Sequence, residues 1–166
     1  MEASRAEGRG GYVDTSRLTP AEYAGCLAAT ALVLSLFLPW FGTSETNDNS
    51  TLAGASAGDT VSAWQTFGLL DVVLVAAATA PFILSWIIAR GHTLTWKPGE
   101  VTMVVGITAF VLILCNGVIL GRPGDSVEIS LEVGYPIALL ACAGMAASGF
   151  VRQARYTEGR KPPGVI

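Results

Sequence analysis

Long apolar runs separated by polar segments form the main hydrophobic pattern of this chain. A helix needs about 20 apolar residues to cross the hydrocarbon layer of a membrane, where unpaired backbone groups are too costly for any open structure. Four segments have this character: residues 23–41, 67–89, 101–120 and 133–151. The pattern predicts an all-α membrane protein with a four-helix transmembrane bundle.

The first and third predicted helices begin with recognisable capping residues. Thr19, Pro20 and Glu22 supply a capping hydroxyl, a proline at the first helical position and a glutamate that can accept from the cap backbone. Pro98 and Glu100 precede the third apolar run in a similar way. These residues predict where the two helices start.

Basic residues divide unevenly between the polar segments. The N-terminal arm carries three, the loop after the second span two and the C-terminal tail four, whereas loop 42–66 has none and the third loop has only Arg122. Basic residues concentrate on the cytoplasmic side of a membrane. This nine-to-one division predicts a multi-pass protein of the cell membrane with both termini in the cytoplasm. The 19-residue first run is longer than a signal-peptide core, which disfavours cleavage.

The two ends of the chain are polar and rich in small and charged residues. Residues 1–18 and 156–166 are predicted to be disordered cytoplasmic segments on either side of a membrane domain, 19–155.

The third loop carries a different pattern, since residues 126–133 alternate polar and apolar. Such alternation is typical of a strand with one exposed face and one apolar face. An isolated strand is unstable, and the β-branched stretch 59–64 in the first loop is the expected partner. The prediction is a small extracytoplasmic β-element, the alternative being that 126–133 extends the fourth helix. The apolar face would consist of Val127, Ile129, Leu131 and Val133.

Composition agrees with a membrane protein and excludes several other classes. Of the 166 residues, 51% are hydrophobic and 14% charged, and the net charge of −3 does not favour nucleic-acid binding. The three cysteines all lie within apolar runs, so neither a disulfide framework nor a metal site is predicted from them. The sequence contains one histidine, His92, and no catalytic, metal or cofactor motif that we recognise. We therefore expect no enzyme activity and no cofactor.

Asp71 is the one acidic residue inside a predicted span. Helix geometry places Asp71 and Asn116 roughly 6–8 Å below the outer surface, with Arg122 just above them. A charged side chain in lipid is costly, so Asp71 should face the bundle and have a partner. We favour a structural clamp in which Asp71 pairs with Asn116, Arg122 or a loop hydroxyl. The alternative is a proton or cation site, or a contact for a polar ligand.

Several short motifs resemble those of a family of small, uncharacterised four-span membrane proteins from actinobacteria. The resemblance covers residues from about 25 to 152 and implies a shared fold, with no known activity. The motifs that carry it are Leu38-Pro39-Trp40-Phe41, Ser62-Ala63-Trp64 with Phe67 and Asp71, Arg122-Pro123-Gly124, and Gly134-Tyr135.

Two functions fit these observations. The first is a non-enzymatic interaction or assembly subunit, which contacts membrane lipid and either a partner membrane protein or further copies of itself. The second is a small oligomeric transporter or channel-like protein that uses Asp71.

Overall fold

The computed structural model describes residues 13–92, 96–97, 99–121 and 128–158, and it is mostly helical. A short 3-10 turn, Thr15–Arg17, precedes the first long helix. The further elements are α1 (Pro20–Ser35), β1 (Pro39–Gly42), β2 (Thr60–Ser62), α2 (Ala63–Thr66), α3 (Leu69–Ala89), α4 (Glu100–Leu114) with a π-helical continuation (Cys115–Ile119), β3 (Ser130–Leu131) and α5 (Gly134–Glu158).

The four long helices form a ring in which each contacts two neighbours. Helix α5 packs against α1 and α4, and α3 packs against the same two helices. The closest approach of α4 and α5 depends on small residues, since a β-carbon on Gly106 would lie 2.6 Å from the Ala146 nitrogen. A β-carbon on Gly149 would likewise collide with the Met103 nitrogen. The small residues of α5 at these positions therefore serve internal packing.

Three helical stretches are long and apolar enough to cross a membrane: Leu69–Ala89, Glu100–Ile119 and Gly134–Arg155. This supports the coarser prediction of a membrane protein. Helix α1 has 16 residues, or about 24 Å at 1.5 Å per residue. The four-span arrangement therefore stays a prediction.

Helix α1 ends earlier than its apolar run predicts. The helix was expected to continue to residue 41, but the chain turns after Ser35 and becomes strand β1 at Pro39. Proline lacks the backbone N–H that a helix interior needs. The Trp40 indole N–H donates to the Ser35 carbonyl at 2.8 Å, and this bond fixes the turn. The predicted start is confirmed, since the Thr19 N–H donates to Glu22 Oε2 at 2.6 Å.

Strands β1, β2 and β3 form a small antiparallel sheet with β1 in the centre. The predicted β-element from the first and third loops is therefore present, but its predicted pairing is wrong. Strands β2 and β3 do not pair with each other, because both pair with β1. The apolar sequence of β1 had concealed it within the first predicted span.

The third-loop strand is shorter than predicted. Only Ser130–Leu131 is strand, and α5 begins at Gly134, so the alternative of a longer fourth helix is wrong for residues 128–133. Ile129 is buried, but Leu131 and Val133 are exposed, because the regular strand covers only two residues at the edge of the sheet. Val127 lies outside the described residues.

The described part of the N-terminal arm is ordered, although 1–18 was expected to be disordered. The Asp14 N–H donates to the Ala89 carbonyl at 2.8 Å, which joins the 3-10 turn to the end of α3. Hydrogen bonds from the Ser16 side chain and backbone, with a further one from Arg17, hold the pKa of Asp14 below its usual range. At the other end, α5 extends to Glu158, beyond the predicted end at 151.

Candidate functional site

An aromatic cluster joins the sheet to the end of the bundle where α1 ends and α3 begins, here called the outer end. The rings of Trp40, Phe41, Phe67 and Tyr135 contact one another with centroids 5.6–6.5 Å apart, mostly edge to face. Aromatic pairs prefer this geometry, which adds to the stabilisation from burial. The cluster therefore fixes β1 against the segment that leads into α3 and against the first turn of α5.

Two glycines make room for the cluster. A β-carbon on Gly117 would collide with the Tyr135 ring, and one on Gly134 would collide with Trp40 and lie 2.6 Å from the Pro39 carbonyl oxygen. The Tyr135 hydroxyl donates to the Ile113 carbonyl at 2.9 Å, beside the π-helical segment. Sequence reasoning missed this bond, although the Gly134-Tyr135 motif marks its position.

Asp71 lies on the interior side of α3, as predicted, and is fully buried. Neither of its carboxylate oxygens has a hydrogen-bond partner among the described residues. The predicted bond to Asn116 is absent, because the Asn116 amide donates to the Leu112 carbonyl at 2.8 Å. Asn116 does lie beside the start of α3, where it lines a depression with Phe67 and Leu70. Arg122, the other predicted partner, lies outside the described residues.

The surroundings of Asp71 offer one favourable electrostatic contribution. Asp71 is in the first turn of α3, where the helix dipole favours negative charge. The next buried positions on the same side of α3 are Leu74 and Ala78, both apolar. The site is thus a buried carboxylate that could hold a proton or a small cation, without a polar route inward along α3.

The other end of the bundle, where α1 and α4 begin, is here called the inner end and contains a cavity that sequence reasoning missed. It surrounds Gly25, whose added β-carbon would lie 2.9 Å from Ser148 Oγ and 3.6 Å from Thr102 Cγ2. The volume is about 30 Å³, which is space for about one water molecule. The cavity is lined by hydroxyl-bearing residues from three helices, Ser85, Thr102 and Ser148.

An ion pair lies at the edge of this inner cavity. Arg152 Nε donates to Glu22 Oε1 at 2.5 Å, and the two side chains are only 21% and 8% exposed. The pair joins the first turn of α1 to the end of α5. The sequence showed Glu22 as a cap and Arg152 as a flanking base, but the two are 130 positions apart and no local pattern indicates that they meet.

The remaining candidate chemistry is sparse within the described parts of the chain. Cys26, Cys115 and Cys142 are free, and no three His, Cys, Asp or Glu residues among those described could hold a metal ion. His92 is exposed at the end of α3.

The fold is thus a helical bundle with three membrane-length helices and a small sheet at one end, an arrangement that fits a membrane protein. No protein-family model matches the chain, and no curated protein or solved structure is detectably similar to it.

Proposed function

We propose that this chain is a non-enzymatic, four-span protein of the cell membrane that acts as an interaction or assembly subunit. In this arrangement α1 and the following residues make the first crossing, and both termini lie in the cytoplasm. The three membrane-length helices and the nine-to-one division of basic residues support the placement.

The observation that carries the proposed role is an ordered surface at the outer end of the bundle, here called the outer cap and defined as residues 39–66 and 128–133. The proposed topology would put this surface outside the membrane. The Ser44 hydroxyl donates to Glu128 Oε2 at 3.0 Å, which joins the two loops. The Thr43 hydroxyl donates to the Ser56 carbonyl at 2.6 Å and holds the long first loop. A surface that is already ordered loses less conformational freedom when a partner binds.

The charge of the outer cap indicates the chemistry of the partner. Neither described range of the cap contains a lysine or an arginine. Electrostatic complementarity favours a partner with a basic extracytoplasmic surface. The acidic residues of the cap are Glu45, Asp48, Asp59, Glu128 and Glu132.

The test is purification of the full chain in mild detergent, followed by native mass spectrometry. We expect a second polypeptide at fixed stoichiometry, which the double substitution Glu45→Lys and Asp48→Lys releases, since both residues are exposed on the cap. Arg155→Glu is the control, because it changes an exposed charge at the opposite end. A lone monomer, or a partner that both variants release equally, would contradict the proposal.

A second candidate function is transport by a small oligomer that uses Asp71. The observation in its favour is that Asp71 is fully buried without a hydrogen-bond partner in the described residues. Unpaired acids inside membranes commonly mark proton or ion pathways. The apolar residues Leu74 and Ala78 below it argue against a route within one chain, so a path would need neighbouring copies.

This candidate predicts a closed homo-oligomer and proton flux in proteoliposomes, read with an enclosed pH-sensitive dye. Asp71→Asn should abolish the flux, whereas Asn116→Ala should leave most of it, since Asn116 makes no bond with Asp71. Equal flux with wild type, Asp71→Asn and empty liposomes would exclude proton transport.

A further inference from the structure

We propose that the mouth of the inner cavity binds the phosphate of an anionic lipid headgroup, with Lys97 and Arg152 as its charged contacts. The inference depends on the membrane placement above, but not on the interaction role of the outer cap. It rests on the charges, the helix ends and the hydroxyl groups that meet at this cavity.

The charged residues that line the inner cavity carry a net positive charge. They are Glu22, Lys97 and Arg152. The Glu22 carboxylate is already occupied, since one oxygen accepts from Arg152 and the other from Thr19. Within the described residues Arg152 uses only Nε for this pair, so its two terminal amino groups are available. Lys97 is exposed at the mouth.

Two long helices start at the same cavity. Ala21 belongs to the first turn of α1, Val101 belongs to that of α4, and both line it. The N-terminal ends of helices carry partial positive charge and unpaired N–H groups, and both attract anions. These first turns also carry Glu22 and Glu100, so the helix ends offset those acids and leave Lys97 and Arg152 to attract an anion.

Thr102 is an independent indication of a ligand. Its side chain lines the cavity and is only 8% exposed. Its hydroxyl forms no hydrogen bond with any other described residue, whereas Ser148 donates to the Met145 carbonyl at 2.8 Å. A phosphate oxygen or a bridging water at the mouth of the cavity would give this hydroxyl a hydrogen-bond partner.

The walls of the cavity favour a lipid over free phosphate. Leu84, Ile88 and Val101 make one side apolar, and Trp96 lies at the mouth with 65% of its surface exposed. Tryptophan prefers the headgroup level of a membrane, and the apolar wall can accommodate the start of an acyl chain. Since the interior holds only about one water, the headgroup would lie at the mouth.

Fluorescence quenching provides the test. The full chain is placed in phosphatidylcholine nanodiscs with a minor fraction of brominated phosphatidylglycerol or of brominated phosphatidylcholine. The Trp96 signal is obtained by subtracting the signal of a Trp96→Phe variant. We expect stronger quenching by phosphatidylglycerol, and about fivefold weaker binding of that lipid after Lys97→Gln.

Arg155→Gln is the matched control, because Arg155 is exposed on α5 and does not line the cavity. Thr102→Val should also weaken binding of phosphatidylglycerol. Neither Lys97→Gln nor Thr102→Val removes a partner of the Glu22–Arg152 pair. Equal quenching by the two lipids, or equal losses in Lys97→Gln and Arg155→Gln, would overturn the proposal. Competition by inorganic phosphate would also overturn it, since the ligand would then be free phosphate.

Discussion

At the scale of single residues, Gly117 decides whether the outer aromatic cluster can close. Any side chain there would collide with the Tyr135 ring, which cannot retreat because its hydroxyl is bonded to the Ile113 carbonyl. We expect Gly117→Ala to lower the free energy of unfolding by about 2 kcal/mol, a typical cost of overpacking. Thermal unfolding in detergent, followed by circular dichroism, measures the change.

Gly68→Ala is the appropriate control for this prediction. Gly68 also lies at a helix end near the outer cap, but an added β-carbon would meet no atom within 4 Å. It should shift the melting temperature far less. Equal shifts for the two variants would show that the close contact with Tyr135 does not limit stability.

Asp71 shows how far single residues could be predicted. Its burial was predicted from the cost of a charge in lipid, and helix rise alone placed Asn116 near the start of α3. The predicted hydrogen bond between them is absent, because Asn116 lies in a π-helical segment and donates to Leu112. No pattern in the sequence indicates that segment, so the direction of the amide was not predictable.

At the scale of elements, the end of α1 depends on Trp40. Its ring is fully buried, and its N–H donates to the Ser35 carbonyl, which also accepts from the Leu38 N–H. Trp40→Phe removes one of these two bonds and leaves unfilled volume. We expect chemical denaturation to show a free energy of unfolding that is lower by about 2 kcal/mol.

The control for Trp40→Phe is the same substitution at Trp64. That ring is 39% exposed and contacts Phe37 at the edge of the cap. Trp64→Phe should lower the free energy of unfolding much less than Trp40→Phe. If Trp64→Phe were the more damaging of the two, the turn after α1 would not depend on the indole bond.

The Glu22–Arg152 pair makes a separate prediction about how α1 and α5 are joined. Removing one partner of a largely buried pair leaves the other charge uncompensated. Glu22→Gln should therefore lower the free energy of unfolding by about 3 kcal/mol. Glu100→Gln, in the corresponding first turn of α4, should cost less. A double-mutant cycle with Arg152→Gln measures the coupling, and a coupling near zero would contradict a direct interaction.

The starts of the helices were more predictable than their ends. Thr19 and Glu22 form a local pattern that specifies the first turn of α1. Nothing comparable marks the end, because the apolar run continues through strand β1, with Pro39 as the only local signal. The same uninterrupted apolar run explains the wrong strand pairing, because it placed β1, the central strand, within the first predicted helix.

At the scale of the whole molecule, hydropathy predicted the helical bundle, whereas the inner cavity required the fold. The residues that form the cavity come from the beginnings of α1 and α4, from the segment before α4, and from the C-terminal halves of α3 and α5. Each is an ordinary capping, small, apolar or flanking residue in its own segment. Their combination into a polar site arises only from the ring order of the helices.

The orientation of the chain is open to a direct test, which also decides whether the 16 residues of α1 cross the membrane. Single cysteines at Thr15, Glu45 and His92 would be introduced after the native cysteines are replaced by alanine, since all three positions are exposed. With an impermeant maleimide on intact cells, we expect labelling of Glu45→Cys alone. Thr15→Cys and His92→Cys should react only after permeabilisation. If Thr15→Cys reacted in intact cells as Glu45→Cys does, α1 would lie on the outer side, and the chain would cross the membrane three times.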